Sequence, residues 1–108
     1  MGKLDRTISH KGASGTTYAF DVYTSNTDWR DSVACVYYVS KRDSAGNHTH
    51  IYVGETEDLK NRHLDHHKQQ CFERNGYNCI SILMESNATK RLQIEKDLVR
   101  MLTLTCQG

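Results

Sequence analysis

The segment TTYAFDVYT (16–24) alternates apolar and polar positions, with Tyr18, Phe20 and Val22 on one side and Thr17, Asp21 and, broadly, Thr24 on the other. That period of two predicts a half-buried strand. SVACVYYVSK (32–41) and THIYVG (49–54) are rich in β-branched and aromatic residues and flank the turn-like RDSAGNH (42–48). Together they predict a β-hairpin with a longish loop. Beyond Gly54 the pattern becomes helical. Thr56 is a candidate N-cap, Glu57 and Asp58 suit the positive end of a helix dipole, and the helix is expected to end near RNGYN (74–78). CISILM (79–84) reads as a third core strand, and Ser86 or Asn87 can cap a last helix over about 88 to 102. The order β, β, β, α, β, α predicts an α+β fold, a small, mostly antiparallel sheet flanked by helices.

Composition narrows the class without changing this picture. A chain of 108 residues, 37% apolar and 25% charged, is expected to form one globular domain over 1–108. No apolar run approaches the ~20 residues of a membrane span, so no membrane partner is expected. MGKLDRTISHKG has no apolar core of a secretory signal, which points to an intracellular, cytoplasmic protein. On that basis Cys35, Cys71, Cys79 and Cys106 are expected to be buried, reduced thiols. A zinc site built from Cys71 with His63, His66 or His67 is the alternative, since HxxxC shares a helix face, but the spacing fits none of the common zinc patterns. A net charge of +1 does not by itself imply a nucleic-acid partner.

Two helical stretches carry polar groups in unusual places. On the first, Leu59, Arg62, His63, His66 and Gln70 fall on one face, with Arg62 and His66 one turn apart. A solvated face is the bland explanation. On the second, Ala88, Leu92, Leu98, Val99 and Leu102 form an apolar arc with Glu95 near its middle. A carboxylate there must be paired, neutralised or bound to a cation. Arg91, one turn earlier, offers an internal salt bridge as the structural explanation.

Phosphodiester hydrolysis would use the same groups differently. It needs a cation to offset charge in the transition state, a base for the attacking water and an acid for the leaving oxygen. Glu95 could supply one ligand to Mg²⁺ or Mn²⁺, with waters filling the rest, and Arg62 could grip phosphate oxygens as a fork. Tyr37 and Tyr52 sit on adjacent strands of the predicted hairpin. A free tyrosine, with a pKa of ~10, is phenolate in only about one molecule in a thousand at neutral pH, so a tyrosine base needs positive charge beside it. Packing alone also explains tyrosines in strands, and the chain has six.

Taken in order, these residues resemble the GIY-YIG nuclease family. Cys35-Val36-Tyr37 corresponds to the first signature triplet and Tyr52-Val53-Gly54 to the second. The pattern continues as Gly54-x-Thr56-x-Asp58-Leu59-x-x-Arg62-x-x-x-His66, then a strand like NCISIL and a helix with a glutamate in an IEKDL context. The resemblance covers about residues 33–107 and leaves 1–32 as an N-terminal extension with an additional strand. It implies DNA cleavage by metal-dependent hydrolysis, with Tyr37, Tyr52, Arg62, His66 and Glu95 as the site and Glu95 as the metal ligand. Tyr37 would be the base and Tyr52 would position water or phosphate, with Tyr52 as the alternative base. His66 would orient or deprotonate Tyr37, and Gly54 would help to position the site.

The chain departs from the family at three points. Cys35 stands where a glycine is commoner. Fourteen residues separate Tyr37 from Tyr52, more than is usual, so the hairpin is expected to protrude. Gln107 stands near the place of an active-site asparagine, longer by a methylene. DNA is the implied partner, and residues 87–100 carry Lys90, Arg91, Lys96 and Arg100 against Glu95 and Asp97. That surplus predicts weak, salt-sensitive binding. Family members serve in homing, restriction, DNA repair and junction resolution, mostly with an attached specificity domain. Here a homo-oligomer or a separate specificity protein would take that part. The competing reading is a non-catalytic nucleic-acid-binding module that retains the nuclease fold.

Overall fold

The computed structural model describes residues 3–27, 32–60 and 68–107, with side chains from Thr7 onward in the first segment. Its strands are β1 (Lys3–Lys11), β2 (Thr17–Thr24), β3 (Cys35–Arg42), β4 (His48–Thr56) and β5 (Cys79–Met84). They form one sheet in the order β1-β2-β5-β3-β4, antiparallel at every step. Among the described residues the helices α1 (Gln69–Arg74) and α2 (Ala88–Met101) complete the α+β domain. No helix among the described residues is long and apolar enough to cross a membrane.

Within residues 1–32 the expected strand over 17–24 has a hairpin partner, β1, that no pattern in the sequence located. Gly15, at φ 91°, makes the turn between them. CISILM takes the centre of the sheet, bonded to β2 on one side and β3 on the other, which is why Cys79–Ile82 are buried on both faces. The β3–β4 hairpin absorbs its extra length in two ways. Its last pairs, Lys41↔Thr49 and Arg42↔His48, run on past the end of β5, so a two-stranded ribbon projects from the sheet. A register shift after Val39, opposite Ile51, inserts one residue into β4. Asp43 closes the turn, its carboxylate accepting from the Ala45 and Asn47 amides at 2.9 Å.

The sheet is curled. Its edges, β1 and β4, would stand roughly 19 Å apart in a flat sheet of this order. Yet the His10 ring of β1 lies 5.3 Å from His50 of β4 and 4.3 Å from Tyr38 of β3. Phe20, Val36, Tyr38 and Val53 line this inner face and pack against Leu98 of α2, with Ile94, Val99 and Leu102 beside it. The opposite face carries Cys35, Tyr37, Val39, Tyr52, Ile80 and Ile82, covered by Leu59, Phe72 of α1 and Cys106.

α2 begins as expected, with the Asn87 side chain accepting from the Lys90 amide. Its inward face differs from the expected arc. Arg91 and Leu98 are its buried residues, whereas Leu92 is 44% exposed and Ala88 is exposed as well. After α2 the chain turns along the free edge of β4, where the Cys106 amide donates to the Ile51 carbonyl at 2.8 Å. This tail covers backbone groups that an edge strand would otherwise present.

The cysteine expectation needs correction. Cys71 of α1 and Cys106 of the tail form a disulfide, so only Cys35 and Cys79 remain as buried thiols. Such a bond persists where the surroundings do not keep thiols reduced. It also removes the zinc alternative, since Cys71 has no thiolate to give.

Candidate active site

Tyr37 and Tyr52 are carried by neighbouring antiparallel strands and point to the same face. Tyr37 pairs with Gly54, and Tyr52 with Val39. Their ring centroids are 6.0 Å apart, and Tyr52 also packs on Phe72 at 5.4 Å. The two residues are 3% and 9% exposed. Gly54 lies beneath both. A Cβ there would stand 2.5 Å from Tyr37 Oη and 2.8 Å from Tyr52 Cε2, so only a glycine lets the phenols close over the backbone. The two triplets of the sequence pattern thus meet across this one residue.

Gln107 joins them from the tail. Its side-chain oxygen accepts from the Val53 amide at 3.2 Å, which fixes the amide group beside the Tyr52-Val53-Gly54 triplet.

Glu95 is half-buried on α2. α2 packs over the inner face through Leu98, while Tyr37 and Tyr52 belong to the outer one. The salt bridge proposed from sequence to explain Glu95 does not form. Arg91 directs Nε to Glu55 Oε1 at 2.9 Å and Nη1 to the carbonyls of Glu85 and Ser86 at 3.0 Å each. It is 4% exposed, so its charge is neutralised inside the protein by β4 and not by its own helix. Arg62, His63, His66 and His67, including the two catalytic candidates, lie outside the described residues.

Cys35, in the place of the commoner glycine, is fully buried beside this ion pair. Desolvation pushes its thiol up to about 12, with Glu55 adding to the rise and Arg91 opposing it, so it stays protonated and inert. The substitution is therefore a matter of packing.

Among the described residues no group of three or more His, Cys, Asp or Glu side chains is placed to hold a metal. The donor chemistry still fits a hard divalent ion, because Mg²⁺ commonly binds through one or two carboxylates, waters and substrate phosphate. Glu95 is the carboxylate expected from the sequence resemblance to take that role.

The sequence reading missed the Arg91–Glu55 pair. The signal was present: Glu55 is one residue past Gly54 and so faces away from Tyr52, toward the side where α2 packs. It also missed the cluster of His10, Tyr38, His48 and His50 on the inner face, where Tyr38 Oη is bonded to His50 Nδ1 at 2.5 Å and Ser40 Oγ to His48 Nδ1 at 2.8 Å. Compared with protein-family models, curated proteins and solved structures, the chain matches none of them. The resemblance to GIY-YIG nucleases rests on its residues alone.

Proposed function

We propose that the protein is a metal-dependent DNA endonuclease hydrolysing phosphodiester bonds. The observation that carries this reading is the pair of phenols, Tyr37 and Tyr52, closing together over Gly54 from adjacent strands. Packing explains two buried tyrosines. It does not explain why they need a bare glycine between them, in the order of the nuclease signature.

In this mechanism Tyr37 Oη takes the proton of the attacking water, with Tyr52 positioning water or phosphate and open as the alternative base. Arg62 grips the phosphate oxygens and favours the phenolate, and His66 orients or deprotonates Tyr37. Glu95 would hold Mg²⁺ or Mn²⁺; α2 packs on the face of the sheet opposite the phenols, so this reading requires Glu95 to reach the phosphate from that side, where the ion would offset charge on the leaving 3′ oxygen.

The burial of both phenols favours one second reading, a non-catalytic nucleic-acid-binding module. A cleavage panel of supercoiled, linear, flapped and four-way DNA with Mg²⁺ and Mn²⁺ separates the two. The nuclease reading expects cutting that Glu95→Ala lowers at least about 100-fold, and Tyr37→Phe by about 10²-fold or more, with unchanged circular dichroism. A Glu95→Ala protein that cuts as fast as the parent would overturn it, and binding without cutting in either metal would select the module.

A further inference from the structure

The turn between β1 and β2 is docked onto α2 through one carboxylate. Asp97 accepts from the Ser14 amide at 2.8 Å, from Ser14 Oγ at 2.6 Å and from Tyr18 Oη at 2.7 Å, and its own carbonyl accepts from the Ala13 amide at 3.1 Å. Gly12 permits the approach, since a Cβ there would fall on the Asp97 carboxylate. Docking leaves an open groove of about 330 Å³ between turn and helix, with Ser14 and Tyr18 on one wall and Gln93, Lys96 and Arg100 on the other.

The charge of this groove is one-sided in effect. Among the described residues that line it Asp97 is the one carboxylate, and its oxygens are taken up by the turn. Lys96 and Arg100 are exposed and neither is in a salt bridge among the described residues, although, after the Ser14 and Tyr18 hydrogen bonds, the Arg100 charge helps to lower the Asp97 pKa. With Gln93 they make a stripe of donors at i, i+3 and i+7, on the side of α2 away from Leu98. Arg91, counted among the cations from sequence, contributes nothing here because it is buried on Glu55.

From this geometry we infer that the groove is a track for the phosphodiester backbone of DNA, with Lys96 and Arg100 each neutralising a phosphate. The inference rests on the proposed nuclease reading for its choice of ligand. On α2, Lys96 lies about 100° and Arg100 about 140° around the helix from Glu95, so the track runs along a flank of the helix that does not carry Glu95. These contacts position the strand and read no sequence.

The test measures binding of a labelled DNA duplex by fluorescence anisotropy across a salt series, with EDTA present so that no cut occurs. Three proteins are compared: the parent, Lys96→Ala/Arg100→Ala, and Lys41→Ala/Arg74→Ala, which removes the same charge from an exposed surface at the other hairpin and α1. The groove variant is expected to bind about ten-fold or more weakly near 0.1 M salt, with a salt slope reduced by about two, and the control by less than about two-fold. Equal binding by parent and groove variant, an equal loss in the control, or displacement of DNA by a nucleoside monophosphate would each overturn the track. A parent that retains no DNA at low salt would overturn it together with the nuclease reading. Binding through the groove without cutting in Mg²⁺ or Mn²⁺ would leave the track standing and remove the nuclease. Cutting by a parent whose groove variant binds as tightly would do the reverse.

Discussion

At His10 an imidazole occupies a place where the inner face otherwise buries carbon. Its Nε2 is buried without a hydrogen-bond partner, and its ring is wedged between Phe20, Tyr38 and His50. Burial pushes its pKa down to about 4 from 6.5, and the charges of His50 and His48 push in the same direction. His50 is lowered by burial as well. In the unfolded chain His10 takes a proton near 6.5, whereas in the fold it resists until about 4. The unfolded state therefore binds more protons between those values. The contribution of neutral His10 is whole above about 6.5 and is lost as pH falls toward 4, a loss of up to about 3 kcal/mol. His10→Phe keeps the ring and removes the titration. Melting temperatures measured from pH 7 to 4.5 should fall less steeply for His10→Phe than for the parent, with the two proteins similar at pH 7. Parallel curves would mean that the seam between β1 and β4 does not sense this proton.

Among the elements, those with strong periodicity or punctuation could be read directly. The core strands over Cys35–Arg42, His48–Thr56 and Cys79–Met84 and the Asn87 cap of α2 stand where alternation and capping chemistry put them. β1 could not be read that way. KLDRTISHK offers only Leu4 and Ile8 as apolar positions, and the strand turns His10 inward instead. The arc on α2 misled for a related reason: it was drawn through Leu92, while the fold buries Arg91, whose partner is 36 residues distant in the chain. That Tyr37 and Tyr52 sit on adjacent strands was legible because hairpin pairing is local in sequence. The Cys71–Cys106 bond was not, since nothing local to either cysteine indicates the other. That bond ties α1 to the tail holding Gln107 against Val53, and it closes a loop of sequence separation 35. A loop of that size is expected to contribute about 2–4 kcal/mol, chiefly by restricting the unfolded chain. Cys71→Ser/Cys106→Ser should lower the urea midpoint accordingly, and dithiothreitol should reproduce the loss in the parent and do nothing further to the variant. An unchanged midpoint in both would show that packing of Phe72 and the tail suffices without the bond.

For the molecule as a whole, α2 acts as a strut across the mouth of the curled sheet. One end is joined to β4 by Arg91 and Glu55, and the other to the β1–β2 turn by Asp97. β1 and β4 approach each other through side chains such as His10 and His50, and separating them would open the inner face. The strut opposes such an opening only if both ends hold. Arg91 is the more consequential end, because it satisfies one carboxylate and two carbonyls from a buried position. Arg91→Met should cost about 2–4 kcal/mol, below the upper range for broken buried pairs because Glu55 keeps 23% exposure and can recover some water. Pairing it with Glu55→Met distinguishes two origins of the loss. If the stranded carboxylate dominates, the double variant regains at least half of the stability by urea denaturation. If the double variant is as unstable as Arg91→Met, the guanidinium matters through its bonds to the Glu85 and Ser86 carbonyls, which bind the β5–α2 connection to the helix. In either case the loss should steepen the acid sensitivity of the His10 seam, since a loosened strut lets the two edges part at a lower proton load.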